Sequence, residues 1–467
     1  MPRAKKIVDE TVSENPDAVS TPTVKKEPKT KKKSGLAASG EALAAQHAEV
    51  VHAPATKTSS HEKAEKHGHA SHAGPLQAQV NIGTAGHVDH GKTSLTKALS
   101  GKWTDTHSEE LKRGISIRLG YADATFYEYP GMSGAEKYGA TPEKNGVKGK
   151  LLRKVSFIDS PGHETLMTTM LSGATLLNGA LLVIAANEPC PQPRTAEHLM
   201  ALHIAGIKNL IVVQNKVDLV DRVRAIESHA EIVKFLKEYG YETTPVVPIS
   251  ANFNANTDLL IQLIEEIIPT PKHDEKMPVK MYVSRSFDVN KPGTPIDALK
   301  GGVLGGSIIQ GTLTPGKKVE VTPGNNGVPF QIEVQSINIA EGSLMTAHAG
   351  GLIAVGTMLD PGITSMDKFK GQILCEPGSI PKPIDRFWME WNELPRLIGE
   401  RLPAPHVREL MVLTIGTNTL VGEVISQKKN QLDIQLKGKM VIEKGQKIAI
   451  SRRDKAAWRL AGWGALH

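Results

Sequence analysis

Cysteine is almost missing from this chain: Cys190 and Cys375 are the two thiols in 467 residues. One pair makes no disulfide framework, so nothing in the cysteine usage points to an oxidising compartment. There is no run of about 18 apolar residues, and the N-terminus lacks the apolar core of a signal peptide. Aromatic side chains are scarce, and residues 1–75 contain no Phe, Tyr or Trp at all. That stretch sets 12 basic and 9 acidic residues among Ala, Ser, Thr, Pro and His. Such text buries too little apolar area to offset the entropy of ordering, which predicts a disordered, mildly basic tail. Within it KKEPKTKKK (25–33) reads as a solvated charge run, and His61, His67, His69 and His72 lack the thiols and fixed frame of a metal site. The remainder carries 44 basic and 40 acidic residues, net +4, too even a balance to declare a nucleic-acid partner from global charge. A soluble cytoplasmic protein of two to four domains, with no membrane contact, is expected.

What is present begins at residue 80. Short apolar runs, VNIG, KVSFID (154–159), GALLVIAA (179–186), NLIVVQN (209–215) and TPVVPIS (244–250), alternate with helical periods up to about residue 270. Nearly continuous apolar strands suit a mostly parallel sheet covered on both faces, so the pattern predicts a doubly wound α/β domain over 76–271. Ligands of such sheets sit at the carboxyl ends of the strands. After a linker, PTPKHDEK (269–276), the text turns to short strands divided by Gly and Pro. Two all-β barrels are predicted, over 277–372 and 373–467.

The first strand runs into GHVDHGKT, Gly86 to Thr93, and then into helical spacing. This is the strand, loop and helix order of a P-loop, G-x-x-x-x-G-K-T. Glycines let the backbone wrap a phosphate with its N–H groups turned inward. Lys92 brings charge to the β- and γ-phosphates, and the Thr93 hydroxyl can ligate Mg²⁺.

Three further motifs close strands in order. DSPGH (159–163) places Asp159 in the outer shell of the metal and the Gly162 N–H where a γ-phosphate is sensed. NKVD, Asn215, Lys216, Val217 and Asp218, offers a carboxylate to guanine N1 and N2 from Asp218, with Asn215 at the other edge of the purine. ISA (249–251) and the residue after it, Ser250, Ala251 and Asn252, can give a backbone N–H to guanine O6. Taken singly, an Asp at a strand end caps the next helix. Four such motifs in sequence specify GTP.

These motifs, with KRGISIRLGYA (112–122), NGALLVIAANEPCPQPRTAEHLMAL (178–202), SFDVNKPGTPIDALKGGVLGGSI (286–308) and SRRDKAAWRLAGWG (451–464), span nearly everything after residue 78. In them the chain resembles the translational GTPases, and within these the gamma subunits of archaeal and eukaryotic translation initiation factor two. The resemblance implies a P-loop GTPase domain followed by two β-barrels. It implies that Val88, Asp89, His90, Gly91, Lys92 and Thr93 hold the phosphates, with Asp89, Thr93, Gly114 and Ser116 around Mg²⁺, Ser116 standing where the family usually has Thr. His163 would orient the attacking water. The implied activity is GTP-dependent carriage of methionylated initiator tRNA to the small ribosomal subunit, with alpha and beta subunits as partners. An elongation-type or selenocysteine-type carrier would share the first two domains, and a slowly hydrolysing GTP-binding scaffold is the alternative of another class.

Three tRNA candidates stay open on the residues alone. Tyr121 either stacks on the unpaired acceptor end or is a buried strand tyrosine; Arg452 and Arg453 either meet phosphates or form an exposed strand end. The departure from the family lies at 126–154, which usually carries two cysteine pairs around zinc. Here it has neither Cys nor His, so no zinc is expected, and Gly, Lys and Ser predict a mobile loop. Cys190 reads as a packed small residue.

Overall fold

The computed structural model describes residues 75–104, 119–161, 167–394, 402–454 and 457–466. The readings made for the tail up to residue 74, and for Gly114, Ser116, Gly162 and His163, fall outside these.

The strands Val80–Ala85, Gly179–Ala185 and Leu210–Asn215 are buried at every position. They pair in parallel, with Ile82 beside Gly179 and Ala185 beside Asn215. On the other side of Val80–Ala85 the strand Lys150–Asp159 runs parallel, putting Thr84 next to Asp159. Gly120–Glu128 then pairs antiparallel and alternates buried with half-buried residues, as an outer strand with one covered face does. Among the described residues this is a seven-stranded, mostly parallel sheet. The helices Lys92–Ser100 and Thr257–Ile267 cover one face through Leu95, Leu99, Leu260, Ile261 and Ile264. Pro193–Ile204 and Arg222–Glu238 cover the other through Leu199, Leu202, Ile232 and Phe235.

The insert corrects the expectation of a mobile loop. Tyr138–Gly139 pairs with Tyr127–Glu128, and Glu143–Lys144 forms a hairpin with Val147–Lys148. Its turn, Asn145-Gly146, has positive φ at both residues, the geometry that matches strand twist in a two-residue hairpin. Tyr129 is the plug: 1% exposed, with its hydroxyl donating to Thr141 O at 2.7 Å and its ring packed close to Gly139 and Gly149. Composition suggested mobility because it averages over the few aromatics and the one turn that organise the segment.

The first β-rich part is an eight-stranded sheet enclosing its own core of Val279, Met281, Leu304, Val319, Val355 and Leu374. Its strand Ile373–Cys375 pairs with Lys280–Tyr282 and Glu320–Thr322. The division between the two β-rich parts therefore falls after this strand, not at 372/373. The second part is a closed six-stranded barrel from Ile384 to Leu466. Asn81 ties the α/β part to the first sheet, its Nδ2 donating to Leu176 O and Ser307 Oγ and its Oδ1 accepting from Gly351 N. Lys154 adds ion pairs to Asp123 at 3.2 Å and Glu341 at 2.7 Å.

Candidate nucleotide site

The loop from Gly86 to Gly91 leaves the first strand and enters the helix Lys92–Ser100 with Asp89 and Gly91 at positive φ. A Cβ at Gly91 would collide with the Asn215 side chain, and one at Gly86 with Val183 O, so the curl excludes other residues at both glycines. Lys92 Nζ donates to the carbonyls of Gly86 at 3.0 Å and His87 at 2.6 Å.

At the loop's mouth Asp159 is 1% exposed and accepts three hydroxyls: Thr84 at 2.6 Å, Thr93 at 2.7 Å and Thr104 at 2.8 Å. The structure thus joins Thr93 and Asp159, which are 66 residues apart. Thr84 and Thr104 were not legible as site residues. Thr84 could have been found, since it shares a strand with the motif and the parallel register sets it beside Asp159.

At the base end Lys216 adopts positive φ and starts a short turn that presents Asp218 to solvent. The capping role weighed for a strand-end Asp belongs to Asp221, which accepts Arg224 N at 2.8 Å. The Asn215 side chain reaches two other loops: Nδ2 donates to His90 O at 2.9 Å, and Oδ1 accepts from Ala251 N at 3.1 Å. It stitches three loops together, and it also engages the Ala251 N–H assigned to guanine O6. Ser250 Oγ is buried without a partner beside it.

Two histidines of the loop and one beneath it are each held below the ordinary pKa chiefly by burial. His90, with Nδ1 on Val183 O and Nε2 3.4 Å from Glu188, is lowered to about 4. His87 is lowered by burial against the pull of Glu188. His198 is driven well below the usual value. His90 therefore shapes the loop from below while its backbone remains in the cradle. Behind the loop Glu231 bonds Arg224 and accepts Cys190 N at 2.9 Å, and burial pushes the Cys190 thiol up to about 12, as suits a packed residue rather than a nucleophile.

One tRNA candidate, Arg452, is corrected, and Tyr121 is placed in a seam. Tyr121 packs with Leu119, Ile158 and Tyr282 in the seam against the first β-rich part, and its buried hydroxyl lies beside Ser284 and Arg285. Its ring is half-buried there. Arg452 is 3% exposed and grips Glu409 with Nε at 2.6 Å and Nη2 at 2.8 Å, while Nη1 donates to Pro403 O at 2.6 Å. Arg453, its neighbour, is exposed.

Residues 77–270 match the model of the Elongation factor Tu GTP binding domain, and residues 385–466 that of Initiation factor eIF2 gamma, C terminal. A bacterial selenocysteine-specific elongation factor has the same architecture at 25% identity and TM-score 0.66, over 83% of this chain and 58% of that one. Elongation factor SelB from Methanococcus maripaludis, solved with a GTP analogue, aligns at 21% identity and TM-score 0.64, covering 84% and 80%. Fold and loop together define a translational GTPase, an enzyme that hydrolyses GTP. Translation initiation factor 2 subunit gamma of Methanococcus aeolicus is 49% identical over 84% of this chain and 98% of the relative. That of Methanothermobacter thermautotrophicus is 50% identical over 84% and 99%. The chain belongs to the family of translation initiation factor 2 gamma subunits.

Proposed function

We propose that this translation initiation GTPase binds methionylated initiator tRNA in its GTP form, delivers it to the small ribosomal subunit, and works in the cytoplasm as the core of a heterotrimer with alpha and beta subunits. The nucleotide part of the reading is carried by the Thr93–Asp159 contact, which sets two hard oxygen donors at the mouth of a phosphate loop with Lys92 behind; the tRNA and subunit partners are supported by the similarity to translation initiation factor 2 gamma subunits.

Magnesium fits this donor set, because hard cations take hydroxyl and carboxylate oxygens. Thr93 and Asp89 would hold it with Gly114 and Ser116, and Asp159 would stand in its outer shell. When bound, it neutralises charge on the β- and γ-phosphates. Backbone N–H groups of Val88 to Thr93 cradle the phosphates, and Lys92 leaves its carbonyls for them. Asp218 accepts guanine N1–H and N2–H, while Asn215, Lys216, Val217, Ser250, Ala251 and Asn252 shape the base pocket.

His163 orients the water. The water's oxygen bonds the γ-phosphorus as the bond from that phosphorus to the bridging oxygen breaks; GDP leaves with the bridging oxygen, and the water's proton passes to the released phosphate or solvent. Gly162 N–H senses the γ-phosphate, and its loss releases the switch segments and the tRNA. Arg453 is the remaining tRNA candidate of the second barrel.

The test is filter binding of methionylated initiator tRNA with GTP or GDP, beside elongator methionyl-tRNA and selenocysteyl-tRNA. Initiator tRNA with GTP should bind at least roughly tenfold tighter than each other combination. Equal retention of the elongator or selenocysteyl species would overturn the assignment in favour of the elongation-type readings.

A further inference from the structure

His198 lies in the helix Pro193–Ile204, wholly buried, and its Nδ1 accepts the backbone N–H of Gly86 at 2.8 Å across 112 residues of sequence. Gly86 is the first residue of the phosphate loop, and its carbonyl receives Lys92 Nζ. One residue's backbone is therefore held through both its N–H and its carbonyl. Burial, reinforced by Lys92, Arg194 and the two loop histidines, keeps the imidazole neutral, so Nδ1 has a lone pair to accept with. Nε2 then carries the hydrogen, and it is buried without a partner. The same helix packs against the barrel strands Lys447–Asp454 and Ala457–Leu466, where Leu199 and Leu202 share a core with Ala449 and Leu460.

We propose that His198 is a positioning residue for the nucleotide: it pins the Gly86 peptide so that the loop keeps its curl when Lys92 turns from the carbonyls to the phosphates. It also ties that curl to the helix seated on the second barrel, so the barrel bears on nucleotide retention through a single side chain. Nothing in the sequence pairs this histidine with the loop; the contact exists only in the fold. The inference rests on the nucleotide reading above.

Two substitutions separate positioning from packing. In His198→Asn the amide oxygen stands near the place of Nδ1 and can accept the Gly86 N–H; His198→Leu fills comparable volume with no acceptor. Stopped-flow release of fluorescent GDP and steady-state GTP hydrolysis are measured well below the melting temperature of each variant. The leucine variant should release GDP about tenfold faster, the size expected for one buried hydrogen bond, with the loss falling on KM rather than kcat. The asparagine variant should stay within about threefold of the parent. Parent-like release in His198→Leu, or release from His198→Asn as fast as from His198→Leu, would overturn the proposal. Failure of the unmodified protein to bind labelled GDP would instead remove the nucleotide reading beneath it.

Discussion

Lys92 and Arg452 are both buried cations, 6% and 3% exposed, set in two differently built regions. Lys92 stands where a strand gives way to a loop and a helix, and its ammonium lies on two backbone carbonyls. Arg452 is mid-strand in the second barrel, with its guanidinium forked onto the Glu409 carboxylate. Loop carbonyls are neutral dipoles that can return to water or to other donors, so a phosphate competes with them. A carboxylate in a barrel wall is a full countercharge, and parting the pair leaves an uncompensated ion in low dielectric. The lesson is that a cation between strand and loop can serve a ligand, whereas one inside a ladder is recruited to the fold.

The comparison predicts opposite outcomes for the two truncations. Arg452→Ala should cost about 3–5 kcal/mol of unfolding free energy, the size for breaking a buried pair, while GTP affinity holds. Urea unfolding beside nucleotide titration reads both, and a stable Arg452→Ala protein that has lost initiator tRNA would return the residue to the RNA. Lys92→Ala should weaken GTP roughly a hundredfold, as removal of a charged hydrogen bond does, and leave the urea midpoint close to the parent. A large fall in stability instead would mean the lysine is structural.

The same region predicts a pH dependence. The folded state lowers His87, His90 and His198 below the ordinary 6.5, His90 to about 4. The unfolded chain then binds more protons, so stability is full above about pH 6.5 and falls as the pH drops toward 4. Each imidazole contributes at most about 1.4 kcal/mol per pH unit. Thermal melts from pH 7.5 to 4.5 measure the slope, and a flat profile would contradict the burial. The smallest effect belongs to the insert. Tyr129→Phe removes the hydroxyl that donates to Thr141 O and should cost about 1 kcal/mol, with faster amide exchange confined to 138–148. Exchange that was already fast in the parent would restore the mobile loop.

How far the site was legible follows from the range of each interaction. That Lys92, Thr93 and Asp159 come together was legible because each sits in a short motif at a strand end, where local chain geometry places the side chain. The protein contacts of Asn215 with His90 and Ala251 were not legible, because those residues arrive from distant segments. In the insert, Asn145-Gly146 was a readable hairpin signal that composition masked.

Residue order alone determined the strand, loop and helix around Gly86 and the change from parallel α/β to antiparallel text near residue 276. Those depend on φ/ψ freedom, hydrophobic period and hydrogen-bonding chemistry carried within a few residues. Only the tertiary structure decided which buried polar groups meet. Thr84 and Thr104 reach Asp159, His198 reaches Gly86, and Glu409 takes Arg452. Most buried donors find an acceptor, but which one depends on how the layers close over them.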